Sequence, residues 1–119
     1  MTGSELRQLI SEYGWNQKQF ADHMGVHPGT IMNAVKSEKI TPWKACAYYY
    51  ALQNSTLERI NVDDLGNRWK GSVEELAKEL GLTTCTIHRL LTNRLKISVF
   101  RGYALLYAIT KAEGKIYDH

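Results

Sequence analysis

Between Thr84 and Arg101 the chain carries four basic residues, Arg89, Arg94, Lys96 and Arg101, and no acidic one. Among and just before them stand Thr83, Thr84, Cys85, His88 and Asn93, which add hydrogen-bonding groups to the positive charge. Such a segment suits a polyanionic partner. A second, weaker run holds Lys36, Lys39 and Lys44, offset by Glu38. That run reads equally well as a solvated helix face. The formal charge of the whole chain, +3, is compatible with a polyanion and too small to demonstrate one, so distribution matters more than the total.

Other chemistry finds less support. Cys85 and His88 lie one helical turn apart, but a zinc site needs two further ligands at suitable spacing, and none is near. There is no glycine-rich phosphate loop, no nucleophile beside a base and no spaced carboxylate pair, so neither an enzyme nor a cofactor site is expected. Cys46 and Cys85 sit far apart with no secretory leader before them, which makes a disulfide unexpected and a cytoplasmic location the expectation. The longest apolar runs, Ala45 to Leu52 and Tyr103 to Ile109, are too short to span a bilayer.

The elements that must position the basic residues are helical. With 44% hydrophobic residues, 23% charged residues and only two prolines, the composition fits a globular all-α chain. The sequence also repeats itself. A shift of 56 residues pairs Ala21 with Ala77, Gly25 with Gly81, Thr30 with Thr86 and Ile31 with Ile87. Phe20, Met24, Val26 and Val35 meet Leu76, Leu80, Leu82 and Leu91 in the same register. One extra residue in the second copy then aligns Trp43-Lys44 with Phe100-Arg101 and Tyr50-Ala51-Leu52 with Tyr107-Ala108-Ile109. Two four-helix units follow, over residues 1–55 and 56–119, packed as one body.

Caps and breakers divide each unit. In the first, Ser4 is expected to cap a helix running to Tyr13, followed by Gly14; Asn16 opens a second helix to Met24, His27-Pro28 a third and Thr41-Pro42 a fourth to about Gln53. The second unit reads Asn61 to Trp69, Ser72 to Leu80 with Glu75 completing a capping box, Thr83 to Leu91, and Ser98 to about Ala112. Tyr48-Tyr49-Tyr50 places Tyr50 in the core and turns at least one neighbour outward, either as an interface or partly buried against the other unit.

In each unit an apolar-Ala pair and a following apolar-Gly step precede a short turn and another helix. A steep helix crossing needs the small Ala where the helices touch and the Gly where the chain reverses. The stretch from Asn16 to Ile31 resembles the second and third helices of the phage lambda repressor and Cro family of helix-turn-helix domains, and Pro42 to Leu52 resembles the fourth. The resemblance covers about half the chain directly and the rest through the repeat.

It implies that the third helix of each unit enters the major groove of double-stranded DNA. The positions facing the bases are then His27, Pro28, Gly29, Met32 and Asn33, with Lys36 beside them, and Thr83, Thr84, Cys85, His88 and Arg89, continued by Asn93, Arg94 and Lys96. Arg89 can pair with guanine and Asn33 with adenine. Gln17 takes the family's phosphate-binding position, which Val73 occupies in the second unit without a donor.

The expectation is a sequence-specific transcriptional regulator, a repressor in the first place, in contact with a pseudo-palindromic operator and with RNA polymerase. Either the two units act as a built-in pseudo-dimer, or the chain forms a homodimer through the first unit and Tyr48/Tyr49. The alternative is a protein-interaction module of the antitoxin or phage-inhibitor kind that keeps the fold.

Overall fold

The computed structural model describes residues 1–57, 67–92 and 98–114. Among the described residues there are seven α-helices and no strand: α1 (Gly3–Glu12), α2 (Gln17–Met24), α3 (Pro28–Val35), α4 (Pro42–Gln53), α5 (Val73–Leu80), α6 (Thr84–Leu91) and α7 (Val99–Ala112). The helix expected from Asn61 to Trp69 lies largely outside the described residues; positions 67 and 68 are helical.

Local chemistry sets most of the boundaries. Asn16 accepts from the Gln19 backbone N–H at 2.7 Å while the Gln19 side chain accepts from the Asn16 N–H at 3.0 Å, a complete capping box at the start of α2. Ser72, Thr83 and Ser98 cap α5, α6 and α7 through the N–H three residues on. The box expected at Ser72 is only half made, since Ser72 accepts from the Glu75 N–H and the Glu75 side chain does not close it. The start of α1 also differs from expectation: Thr2, not Ser4, is the cap, accepting from the Glu5 N–H at 3.1 Å. Tertiary contact decides this, because the Gly3 N–H donates to Ser37 O at 2.9 Å and draws Gly3 into the first turn.

α2 and α5 end alike. Gly25 and Gly81 take left-handed backbone angles, φ 74° and 67°, and the next N–H, of Val26 or Leu82, reaches back to Ala21 O or Ala77 O at 3.0 Å in each case. Ala21 and Ala77 are buried where the following helix crosses. Phe20 and Leu76, Met24 and Leu80, and Ile31 and Ile87 are buried pairs 56 residues apart.

A single hydrophobic cluster draws on all seven helices. Its centre is the α4–α7 pair, the most extensive helix contact in the fold. Tyr48 meets Phe100 edge-on with ring centres 5.4 Å apart, and Tyr50 stacks on Tyr103 at 5.5 Å. Tyr48 is 2% exposed, so it is not part of an outer surface; of the three consecutive tyrosines only Tyr49 is half-exposed, lying against Tyr107. His23 ties α2 to the end of α4. Its Nε2 lies 2.9 Å from Ala51 O and 2.8 Å from Asn54 O, two acceptors that require this nitrogen to carry the proton, and its ring stacks on Trp15.

Candidate nucleic-acid interface

The apolar face of α6 turns Ile87 and Leu90 inward, and the 3.6-residue period leaves Thr84, Cys85, His88 and Arg89 exposed on the other side. The four form one contiguous outward stripe with the cation on its flank. α3 is arranged likewise: Ile31 is buried, whereas Met32, Asn33 and Lys36 are exposed. Met32 is 47% exposed, an unusual position for a large apolar side chain. Pro28 and Gly29 are half-buried in its first turn. Gln17, the first residue of α2, is half-buried, as is Val73 at the same place in α5. Asn93, Arg94 and Lys96 lie outside the described residues.

Two of the candidate contact residues have structural work instead. The Thr83 hydroxyl accepts from the Thr86 N–H at 3.2 Å and hydrogen-bonds Thr86 Oγ1 at 2.8 Å. His27 Nδ1 accepts from the Gly29 N–H at 3.0 Å. Both are helix caps, and each stands directly before an outward stripe.

The structure adds a polar pocket that sequence reasoning did not assemble. It measures about 310 Å³ and lies between α3, the loop after it, and the first turns of α4 and α7. Thr30, Asn33, Ser37, Lys39, Thr41 and Lys44 line it, and no carboxylate does. Thr41 makes no side-chain cap, so the first N–H groups of α4 have no side-chain acceptor and add a positive helix end. Tyr48 also lines this pocket, and its hydroxyl has no hydrogen-bond partner among the described residues. Beside it the Lys44 ammonium and the Arg101 guanidinium each sit 5.5 Å from the centre of the Trp43 ring. The sequence signal was there in part: Lys44 and Arg101 occupy aligned places in the repeat, one at the start of α4 and one at the start of α7.

The cysteines divide sharply. Burial, followed by the nearby Glu79 charge, pushes the Cys46 thiol up to about 11, while Cys85 is exposed on α6. Ellman's reagent is expected to titrate one thiol quickly in the folded chain and the second only after unfolding. Two fast thiols would contradict the burial of Cys46. No group of three His, Cys, Asp or Glu able to hold a metal occurs among the described residues.

Comparison with protein-family models, with curated proteins and with solved structures returns no match.

Proposed function

We propose that this chain is a tandem helix-turn-helix protein of the phage repressor and Cro type, which binds duplex DNA and regulates transcription by occupying it. The observation that carries the reading is a recurrence 56 residues apart. In each half a capped eight-residue helix ends in a left-handed Gly and is followed by a second capped eight-residue helix with a polar outward stripe. In this reading α6 is the principal recognition helix. Thr84, Cys85, His88 and Arg89 face base edges, Arg89 pairs with guanine through two parallel hydrogen bonds, and Asn33 of α3 reads adenine. Gln17 and the donors around Lys39, Lys44 and Arg101 hold backbone phosphates.

Burial of Tyr48 and Tyr50 against α7 favours a pseudo-dimer within one chain over dimerisation through the tyrosines, since most of the cluster is engaged inside the fold. Such a pseudo-dimer would place half-sites roughly 34 Å apart on a pseudo-palindrome. Met32 supports a narrower second reading, in which α3 touches a protein such as polymerase while α6 reads DNA.

Selection of bound duplexes from a random pool, at low and moderate salt, tests the proposal. A defined sequence and a complex that weakens steeply with salt are expected; no salt-sensitive complex with any duplex overturns it. Arg89→Ala should then cost about 1–3 kcal/mol and relax preference at one base pair, whereas Lys44→Gln should weaken all sequences alike. Bound DNA should also slow alkylation of Cys85.

A further inference from the structure

We propose that the groove between α1, α4 and α7 is a binding site for a linear aliphatic polyamine. The groove measures about 740 Å³, within the roughly 300–1,000 Å³ range of small-ligand sites. A protein partner would need a footprint of about 800 Å² on each side. Tyr13, Tyr49 and Tyr107 supply three aromatic rings, and those of Tyr49 and Tyr107 lie 6.1 Å apart, tilted by 32°.

All the formal charge lining this groove is negative. Glu5 and Glu12 stand on α1, seven residues apart and hence roughly 10.5 Å along the helix axis, with Leu9 between them. An anionic, apolar, anionic row matches a chain of methylenes carrying ammonium groups, and the tyrosine faces attract the same cations through their ring quadrupoles. Lys111 shows that one of these rings already accepts a cation: its ammonium is 5.8 Å from the Tyr107 ring centre, while it pairs with Glu79 outside the groove.

Gln53 adds an independent observation. It lines the groove, its side-chain amide has no hydrogen-bond partner among the described residues, and its Oε1 is enclosed and unsatisfied. Leaving such an acceptor unpaired is costly. Rotation about the terminal amide bond, a soft torsion, brings the oxygen to the groove wall, where a ligand N–H satisfies it. Burial, and then the Glu5 charge, raises the Tyr49 hydroxyl pKa and keeps the ring neutral beside the ligand.

Calorimetric titration of the full chain with spermidine at fixed ionic strength tests the site. Saturable one-site binding is expected, about fivefold weaker in Tyr49→Leu and about fivefold weaker in the double variant Glu5→Gln, Glu12→Gln. Both glutamates are exposed, so the double variant decides the matter if Tyr49→Leu fails to fold. Glu38→Gln, which lies outside the groove, should leave binding unchanged. A permethylated analogue, having no N–H to offer Gln53, should bind about fivefold less tightly. Absence of saturable binding, equal weakening by Glu38→Gln, or binding of trilysine without spermidine overturns the proposal. DNA is not present, so the outcome is separate from that of the DNA-binding reading.

Discussion

Tyr48→Ala lowers the stability of the chain by about 3–5 kcal/mol and unfolds both halves in one transition. Tyr48 is 2% exposed and links three elements: its ring lies 6.3 Å from Phe20 of α2 and 5.4 Å from Phe100 of α7. Truncation therefore opens a cavity where the two halves meet, and neighbours held by α4 and α7 cannot collapse to fill it. α4 also packs on α5, and a Cβ at Gly81 would come within 2.9 Å of Pro42 Cβ, so loss of α4 removes support from the second half directly. Tyr48→Phe provides the contrast. The hydroxyl has no hydrogen-bond partner to lose and faces the polar pocket, so stability should change by less than about 0.5 kcal/mol. Urea unfolding followed by circular dichroism and by native-state hydrogen exchange distinguishes the cases. Exchange in α5–α7 unaffected by Tyr48→Ala would mean that the halves are separate cooperative units.

Most helix boundaries were legible because single residues decide them. Asn16, His27-Pro28, Thr41-Pro42, Ser72, Thr83 and Ser98 open helices as their capping chemistry dictates, and Gly14, Gly25 and Gly81 take positive φ as helix ends require. The fate of the tyrosine cluster was less legible. α4 has buried residues around most of its circumference, so no single polar stripe marks which of Tyr48 and Tyr49 faces outward. Only contact with α7 settles it, and that contact lies more than fifty residues away in sequence.

The outward stripes of α3 and α6 followed from periodicity, since Ile31, Ile87 and Leu90 had to face inward. Two of their proposed contacts did not follow so simply. A residue just before a recognition helix is at once a candidate for the ligand and for the cap, and in Thr83 and His27 the cap holds the side chain. The polar pocket was harder still to foresee. Its wall combines Lys39 from a loop, Lys44 from α4 and Phe100 from α7, none of which is adjacent in sequence to another.

Gly3→Ala is expected to be the more severe of the two alanine replacements at Gly3 and Gly25, costing about 2–4 kcal/mol against about 1 kcal/mol for Gly25→Ala. A Cβ at Gly3 would lie 2.5 Å from Ser37 O and 2.6 Å from both Ala34 O and Val35 O. All three are backbone atoms, which cannot turn aside as a flexible side chain can. At Gly25 the cost is conformational only, φ being 74° with nothing within 4 Å of the added carbon. The carbonyls crowding Gly3 belong to the end of α3 and the turn after it, so the positive end of α1 meets the negative end of α3. Either that meeting is pried apart or the first turn of α1 detaches. Detachment gives up the bond from the Gly3 N–H to Ser37 O and that from the Ile40 N–H to Met1 O, each 2.9 Å long, together with the Thr2 cap. The damage falls on the end of α3 and on the loop carrying Lys39. If α3 and that loop touch DNA, Gly3→Ala weakens duplex binding as well as stability, although Gly3 itself is buried. Thermal unfolding of the two variants, with duplex titration at a temperature where both are folded, separates the two effects; equal losses of stability at Gly3 and Gly25 would contradict the close approach of α1 to α3.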